Sequence, residues 1–471
     1  MDSYNAYMSI YDNYMRINEI EDLVDKRIPV KLGVNKRNEI IRLVYEISMT
    51  DGGFPSQIIN DAMPEVVTDD IKGELFHYIK RKLSELRYPS AGKKLKPRIM
   101  PVKIDLSHEE AKKWDSVLLP KKIFIEKEAE HYKLTKTFIE KFQNVPVEVV
   151  ENIAEVVKRF KGVDPVTLFN QRRDYIFLVK SRASFVKPCP CTKGYKRCGY
   201  WILNAGFGCP YDCAYCYLQM YSNAPGLVLP VNVDDYFEQI IAFDKKVNKR
   251  TRIGTGEFTD SLALDNYTEF STEVLSFFEK TNNLVFELKT KSVNIDNIID
   301  KESSGNIVLS WSVNPQKVID KYEIGAESLE KRIDAAQRAS DKGYMVGFHF
   351  DPIIFYPGWE EDYEEVVNAI FSDNNLVKKT EWISLGTLRY TPGFKQFVEQ
   401  RFEDNLMFYQ GEFCIDTDGK FRYPREQRVS AYNKMIKWIR TLNNKSWIYL
   451  CMEPEELWKK TILEPRDYSY N

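Results

Sequence analysis

From Trp201 onward the chain alternates short apolar runs with amphipathic stretches, and this alternation restricts the fold more than any other feature. Strand candidates fall at residues 201–204, 252–256, 284–288, 307–313, 344–350 and 382–388. Helical periodicity lies between them at residues 233–246, 267–278, 328–342 and 360–371. Strands and helices in this order form parallel βαβ units. The expected class is α/β, a partial (β/α)6 TIM-like barrel with an N-terminal helical extension. A last helix and strand at 425–442 and 447–452 read as an appended unit. Barrels of this kind carry their chemistry at the carboxyl ends of the strands.

A chain of 471 residues accommodates two or three domains. Residues 1–115 read as a helical module. Ile71, Leu75, Ile79, Leu83 and Leu86 recur at helical spacing between a cap at Asp69 and a stop at Pro89, and a second apolar segment at 40–47 precedes Asp51-Gly52-Gly53. Both a packing unit and a helix-turn-helix fit that pair. The Gly- and Lys-rich stretch at 92–98 reads as an exposed linker. Residues 116–200 lead into the barrel, with a strand candidate at 120–125 and helical patterns to about Lys161. Residues 201–402 make the barrel and 403–471 the extension.

A net charge of −2 gives no global attraction to polyanions. Locally, Arg172, Arg173, Lys180, Arg182, Lys187, Lys193, Lys196 and Arg197 face the single acid Asp174, with Tyr175, Phe177, Phe185, Tyr195, Tyr200 and Trp201 in or just after the run. Cations with stacking rings are what a nucleic-acid groove requires, and a solvated strand face would look alike. No run of eighteen apolar residues occurs, and the first residues lack a basic-then-apolar pattern. We expect a cytoplasmic protein with no membrane partner.

Three of the eight cysteines, Cys209, Cys213 and Cys216, fall in one short segment after the first barrel strand. Three thiolates can hold a [4Fe-4S] cluster and leave one iron open for chemistry. A structural zinc knot with Cys198 as fourth ligand is the alternative. Cys189, Cys191 and Cys198 raise a second cluster or metal, while Cys414 and Cys451 read as small buried hydrophobes. Eight cysteines in a chain of this length do not form a disulfide framework, which agrees with a reducing compartment. The spacing C-x3-C-x2-C, followed by the aromatic Tyr217, resembles the signature of the radical S-adenosylmethionine (radical SAM) superfamily.

The later strand ends supply polar groups for such a cofactor. Glu257 is placed for the amino group of SAM and Lys289 for its carboxylate; Thr259, Ser312 and Asn314 are placed for carboxylate or ribose. Ordinary solvated strand ends would carry the same residue types. His349 reads as a hydrogen-bonded core residue.

The loop Cys209-Pro210-Tyr211-Asp212-Cys213-Ala214-Tyr215-Cys216-Tyr217-Leu218-Gln219 resembles the spore photoproduct lyase family. So do Leu329 to Ala336, then Lys342-Gly343-Tyr344, Gly347-Phe348, Pro352-Ile353 and Gly358-Trp359-Glu360-Glu361. The resemblance runs from about Pro120 to Trp458. It implies a radical SAM enzyme whose cluster cleaves SAM reductively to a 5′-deoxyadenosyl radical, which attacks a thymine dimer in ultraviolet-damaged DNA. It also implies a reducing partner such as flavodoxin or ferredoxin, and radical-relay roles for Tyr215 and Tyr217. One position departs. The family's hydrogen-donating cysteine, three residues before the strand-end aspartate, corresponds here to Glu257 before Asp260. Radical modification of a different substrate, or a non-catalytic zinc-stapled nucleic-acid-binding protein, are the alternative functions.

Overall fold

The computed structural model describes residues 16–51, 53–68, 72–89, 117–222, 224–301, 305–402 and 405–470. Asp69, Ile71 and the linker at 92–98 lie outside them. The chain divides into two compact units, one of residues 1–110, 354–357 and 388–428, the other of 111–353, 358–387 and 429–471.

In the first unit, helices Val34–Asp51, Pro55–Ala62 and Leu75–Arg87 pack through Ile40, Leu43, Val44 and Ile47 against Ile59, Leu75, Ile79 and Leu83. The i, i+3, i+4, i+7 spacing of the first set places its side chains on one stripe, which is why the segment is a helix with a buried face. The centre of the unit is polar. Glu46 accepts from Arg42 Nε at 3.1 Å and Arg87 Nε at 3.2 Å, and from Lys395 Nζ on helix Pro392–Glu399. Arg42 also makes a bidentate pair with Glu399 at 2.7 and 2.8 Å. Burial alone would raise the Glu46 pKa, but Lys395, Arg87 and Arg42 together hold it down at about 2.

The second unit is built on an eight-stranded sheet whose strands follow one another in chain order. They are β1 (Val186–Pro188), β2 (Trp201–Leu203), β3 (Thr251–Gly254), β4 (Leu284–Thr290), β5 (Ile307–Ser312), β6 (Met345–Ile353), β7 (Thr380–Thr387) and β8 (Trp447–Leu450). The pair β1–β2 is antiparallel and every other pair is parallel. The crossovers carry helices, among them Val233–Lys246, Phe270–Phe278, Leu329–Asp341 and Trp359–Phe371. Parallel neighbours require such long connections. All six expected barrel strands are present within a few residues. The strand expected as part of an appendage, β8, is bonded to β7 with Trp382 opposite Trp447 and Leu385 opposite Leu450.

A second, four-stranded parallel sheet runs Val147–Val150, Lys122–Glu126, Tyr175–Val179, Leu227–Pro230. The expectation of helical structure through to Lys161 is corrected here. Val147–Val150 has four residues and leaves Val147 and Val149 exposed, so it offers almost no apolar pattern to read. Among the described residues no helix is long and apolar enough to cross a membrane.

Candidate active site

The cysteine segment leaves β2 and is fixed on all sides. Phe207 exchanges two backbone hydrogen bonds of 2.9 Å with Val228, and Gly208 N–H donates to the Phe258 carbonyl at 2.9 Å. Gly208 has φ +94°, a conformation that a side chain would strain. Asp212–Cys213 then pairs antiparallel with Glu323–Ile324, and Ala214 N–H donates to Tyr322 at 2.8 Å. Gln219 Nε2 closes the loop on the carbonyls of Cys213 and Ala214 at 3.2 and 3.0 Å.

Two cations underlie it. Arg172, 1 % exposed, donates to the carbonyls of Cys209 at 3.3 Å and Tyr211 at 2.8 Å, and pairs with Asp212 at 3.1 Å. Lys291 follows β4, with its backbone N–H on Asp260 Oδ2 at 2.7 Å. Burial raises the pKa of all three loop thiols, Cys209 to about 12, and the thiols act on one another. Lys291 lowers those of Cys213 and Cys216, and Arg172 those of Cys209 and Cys216. Thiols beside fixed positive charge are suited to bind as thiolates, because metal binding releases their protons and the cations remain to offset the charge.

Beneath Cys213 sits Glu323, 2 % exposed. It pairs with Arg332 at 2.6 Å and accepts from Asn314 Nδ2 at 2.9 Å and from the Tyr215 hydroxyl. Burial acts to raise its pKa, but Arg332 and Lys291 hold it at about 2. Arg332 also donates to the Ser312 carbonyl at 2.9 Å, and Tyr363 to Asn314 Oδ1 at 2.7 Å. The network thereby ties the cysteine segment to the end of β5.

The residues expected at the site separate into two groups. Tyr215, Ser312 and Asn314 belong to the buried Glu323 network, where the Asn314 amide is engaged at both ends. Tyr217 and Glu257 meet on the more open side. The Tyr217 ring is 41 % exposed, and its hydroxyl contacts the Glu257 carbonyl at 2.6 Å and carboxylate at 2.9 Å. Thr259 packs its methyl toward Gly206. Lys289 is the penultimate residue of β4, and Gly256 lies so close that an added Cβ would stand 2.6 Å from Lys289 Cβ. Asp260 binds the two strand ends, accepting from Ala263 N–H at 2.9 Å and Thr290 Oγ1 at 2.5 Å. His349 is a buried partner of Glu287 at 2.7 Å.

Lys291, Glu323 and Arg332 escaped the sequence reading. Arg332 stands inside the Leu329–Ala336 motif, but nothing in its spacing marks it. Arg172 was read as part of a basic groove. In fact Arg172 and Arg173 are buried, Arg182 pairs with Glu128 at 2.8 Å, and Phe177, Phe185 and Tyr195 lie in the core. Those three rings are therefore not available for stacking, whereas Tyr175, Tyr200 and Trp201 are half-buried and Lys187, Lys193 and Arg197 remain exposed.

A parallel half-barrel with a three-cysteine loop after its first parallel strand is what a member of the spore photoproduct lyase family, a radical SAM family, presents. The family model for spore photoproduct lyase matches residues 118–448, and the chain belongs to the spore photoproduct lyase family. The spore photoproduct lyase of Geobacillus sp. (strain Y412MC61) is 26% identical over 340 residues, spanning 68% of this chain and 95% of that protein. That of Bacillus subtilis (strain 168) is 24% identical over 341 residues, with 69% and 95% covered. A solved spore photoproduct lyase complexed with dinucleoside spore photoproduct aligns with TM-score 0.60 and 22% identity, covering 71% of this chain and 99% of that one. A mutant with bound AdoMet and the same dinucleoside aligns with TM-score 0.61 and 22% identity over 70% and 98%.

Proposed function

We propose that this chain reductively cleaves SAM at a [4Fe-4S] cluster held by Cys209, Cys213 and Cys216 and acts on ultraviolet-damaged DNA. The observation that carries the reading is the loop itself: three cysteines in one short segment, fixed by backbone hydrogen bonds and by Arg172 on the carbonyls of Cys209 and Tyr211, with Lys291 beside it. When bound, the cluster supplies the electron that splits the sulfonium of SAM, and the adenosyl fragment supplies hydrogen-atom abstraction. Glu257 binds the amino group of SAM, with Tyr217 fixing its carboxylate. Lys289 meets the SAM carboxylate, and Thr259 and Ser312 contribute hydroxyls. Asn314 acts through Glu323 to hold Tyr215 under the loop. A nucleic-acid lesion as substrate agrees with the dinucleoside named for the solved relatives. Electrons come from a flavodoxin or ferredoxin in a reducing cytoplasm.

Radical modification of another substrate is the second reading, favoured by Glu257 in place of a hydrogen-donating cysteine. Incubation of the anaerobic, reduced protein with SAM and ultraviolet-irradiated DNA separates the two. Restored thymine supports repair. SAM cleavage with the lesion untouched assigns the radical to another substrate.

A further inference from the structure

Large apolar side chains left in water are scattered over the described residues, except at one place. Tyr217, Met220 and Tyr221 are 41, 43 and 58 % exposed, and no other five-residue stretch among the described residues leaves three such side chains open. They stand on and just after the short 3-10 helix Tyr217–Met220 that follows Cys216. In such a helix residues three apart share a face. Leu218 and Gln219 are buried, Gln219 through its bonds to the Cys213 and Ala214 carbonyls, which leaves Tyr217 and Met220 on the outer face. Tyr221 N–H then donates to the Leu218 carbonyl at 3.1 Å and closes the turn.

The two rings are held out rather than folded in. The Tyr217 hydroxyl on Glu257 pins the first, and the Tyr221 ring meets it edge to face with centroids 5.7 Å apart and an interplanar angle of 79°. An edge-to-face contact covers one face of one ring and leaves the others open. Tyr221 makes no other ring contact, and its hydroxyl no hydrogen bond, among the described residues. It therefore stands one ring outward from Glu257.

Charge selects the occupant of this patch. From Tyr175 to Val233 the only acidic residue is Asp212, which is buried on Arg172. Within the same stretch Lys187, Lys193 and Arg197 are exposed and make no ion pair among the described residues. A segment that combines free cations with open rings suits unpaired nucleotides, whose phosphates take the cations and whose bases take the rings. A lesion brought to an enclosed reaction centre leaves its stack, so the neighbouring base loses a partner that a protein ring can replace.

We propose that Tyr221, with Met220 beside it, is the stacking platform for the nucleobase that flanks the lesion in a damaged DNA strand. The assignment rests on the damaged-DNA reading above and adds to it the residue that grips the strand. The test is fluorescence anisotropy of an end-labelled, ultraviolet-irradiated single-stranded oligothymidine titrated with the full chain at several salt concentrations. Y221A is expected to bind roughly tenfold more weakly than wild type. Its slope of log affinity against log salt stays at the wild-type value, because stacking releases no counterions. Y221F and Y221W keep wild-type affinity, since the base needs a ring and not a hydroxyl. Weakened binding that Y221F shares with Y221A overturns the platform, because the hydroxyl and not the ring would then be at work. Equal binding by wild type and Y221A overturns the platform alone, whereas a wild-type chain that binds no DNA overturns the damaged-DNA reading and the platform with it.

Discussion

Glu323 and Glu46 are near twins in their electrostatics. Each is a buried carboxylate ringed by cations, Arg332 and Lys291 in one case and Lys395, Arg87 and Arg42 in the other, and each is held at about 2. They differ in what else the carboxylate touches. Glu46 binds helix to helix within its unit, and its remaining partners are structural. Glu323 sits on the two-residue strand paired with Asp212–Cys213 and takes the hydroxyl of Tyr215, one residue before Cys216. The same physics therefore staples a core in one place and sets the height and orientation of a ligand loop in the other.

The largest expected effects come from removing each carboxylate. Glu323→Ala and Glu46→Ala each strand buried cations, which costs about 3–5 kcal/mol in urea unfolding. They part in metal content: E323A loses iron from the loop and E46A keeps it. Equal iron in both variants breaks the distinction. Next comes acid. The folded-state pKa of Glu46 lies below its ordinary value near 4.5, so its contribution is complete above that pH and is lost as pH falls toward about 2. In E46Q this acid loss is smaller than in wild type, read by circular dichroism across that range.

Tyr215→Phe removes a hydroxyl from the Glu323 carboxylate, and a hydrogen bond to a charged group is worth about 1.5–3 kcal/mol. Urea midpoints compared with wild type check it. The smallest effect is Tyr217→Phe on the half-open side, below about 1 kcal/mol in stability. Its signature is kinetic: Glu257 loses its orienting partner, so the KM for SAM rises while iron content stays at wild type. A Y217F protein with unchanged KM removes Glu257 from the SAM site.

The contrast also explains what could be read from the sequence. β3 to β7 were legible because each is an apolar run flanked by a helical period, and the cysteine loop because its ligands are adjacent in the chain. Glu323 occupies a two-residue strand with no periodicity, and its partner Arg332 looks like any charged residue on an amphipathic helix. Arg172 was visible only as charge, and charge does not announce burial. Contiguous sites are written in sequence; sites assembled across a sheet are not.

The central claim is that the loop of Cys209, Cys213 and Cys216 generates a radical from SAM. Its most direct test is chromatography of 5′-deoxyadenosine from the anaerobic, dithionite-reduced chain incubated with SAM. We predict release of 5′-deoxyadenosine by wild type and none by C213A. A wild-type protein carrying a full, reduced four-iron cluster that leaves SAM intact would contradict the account.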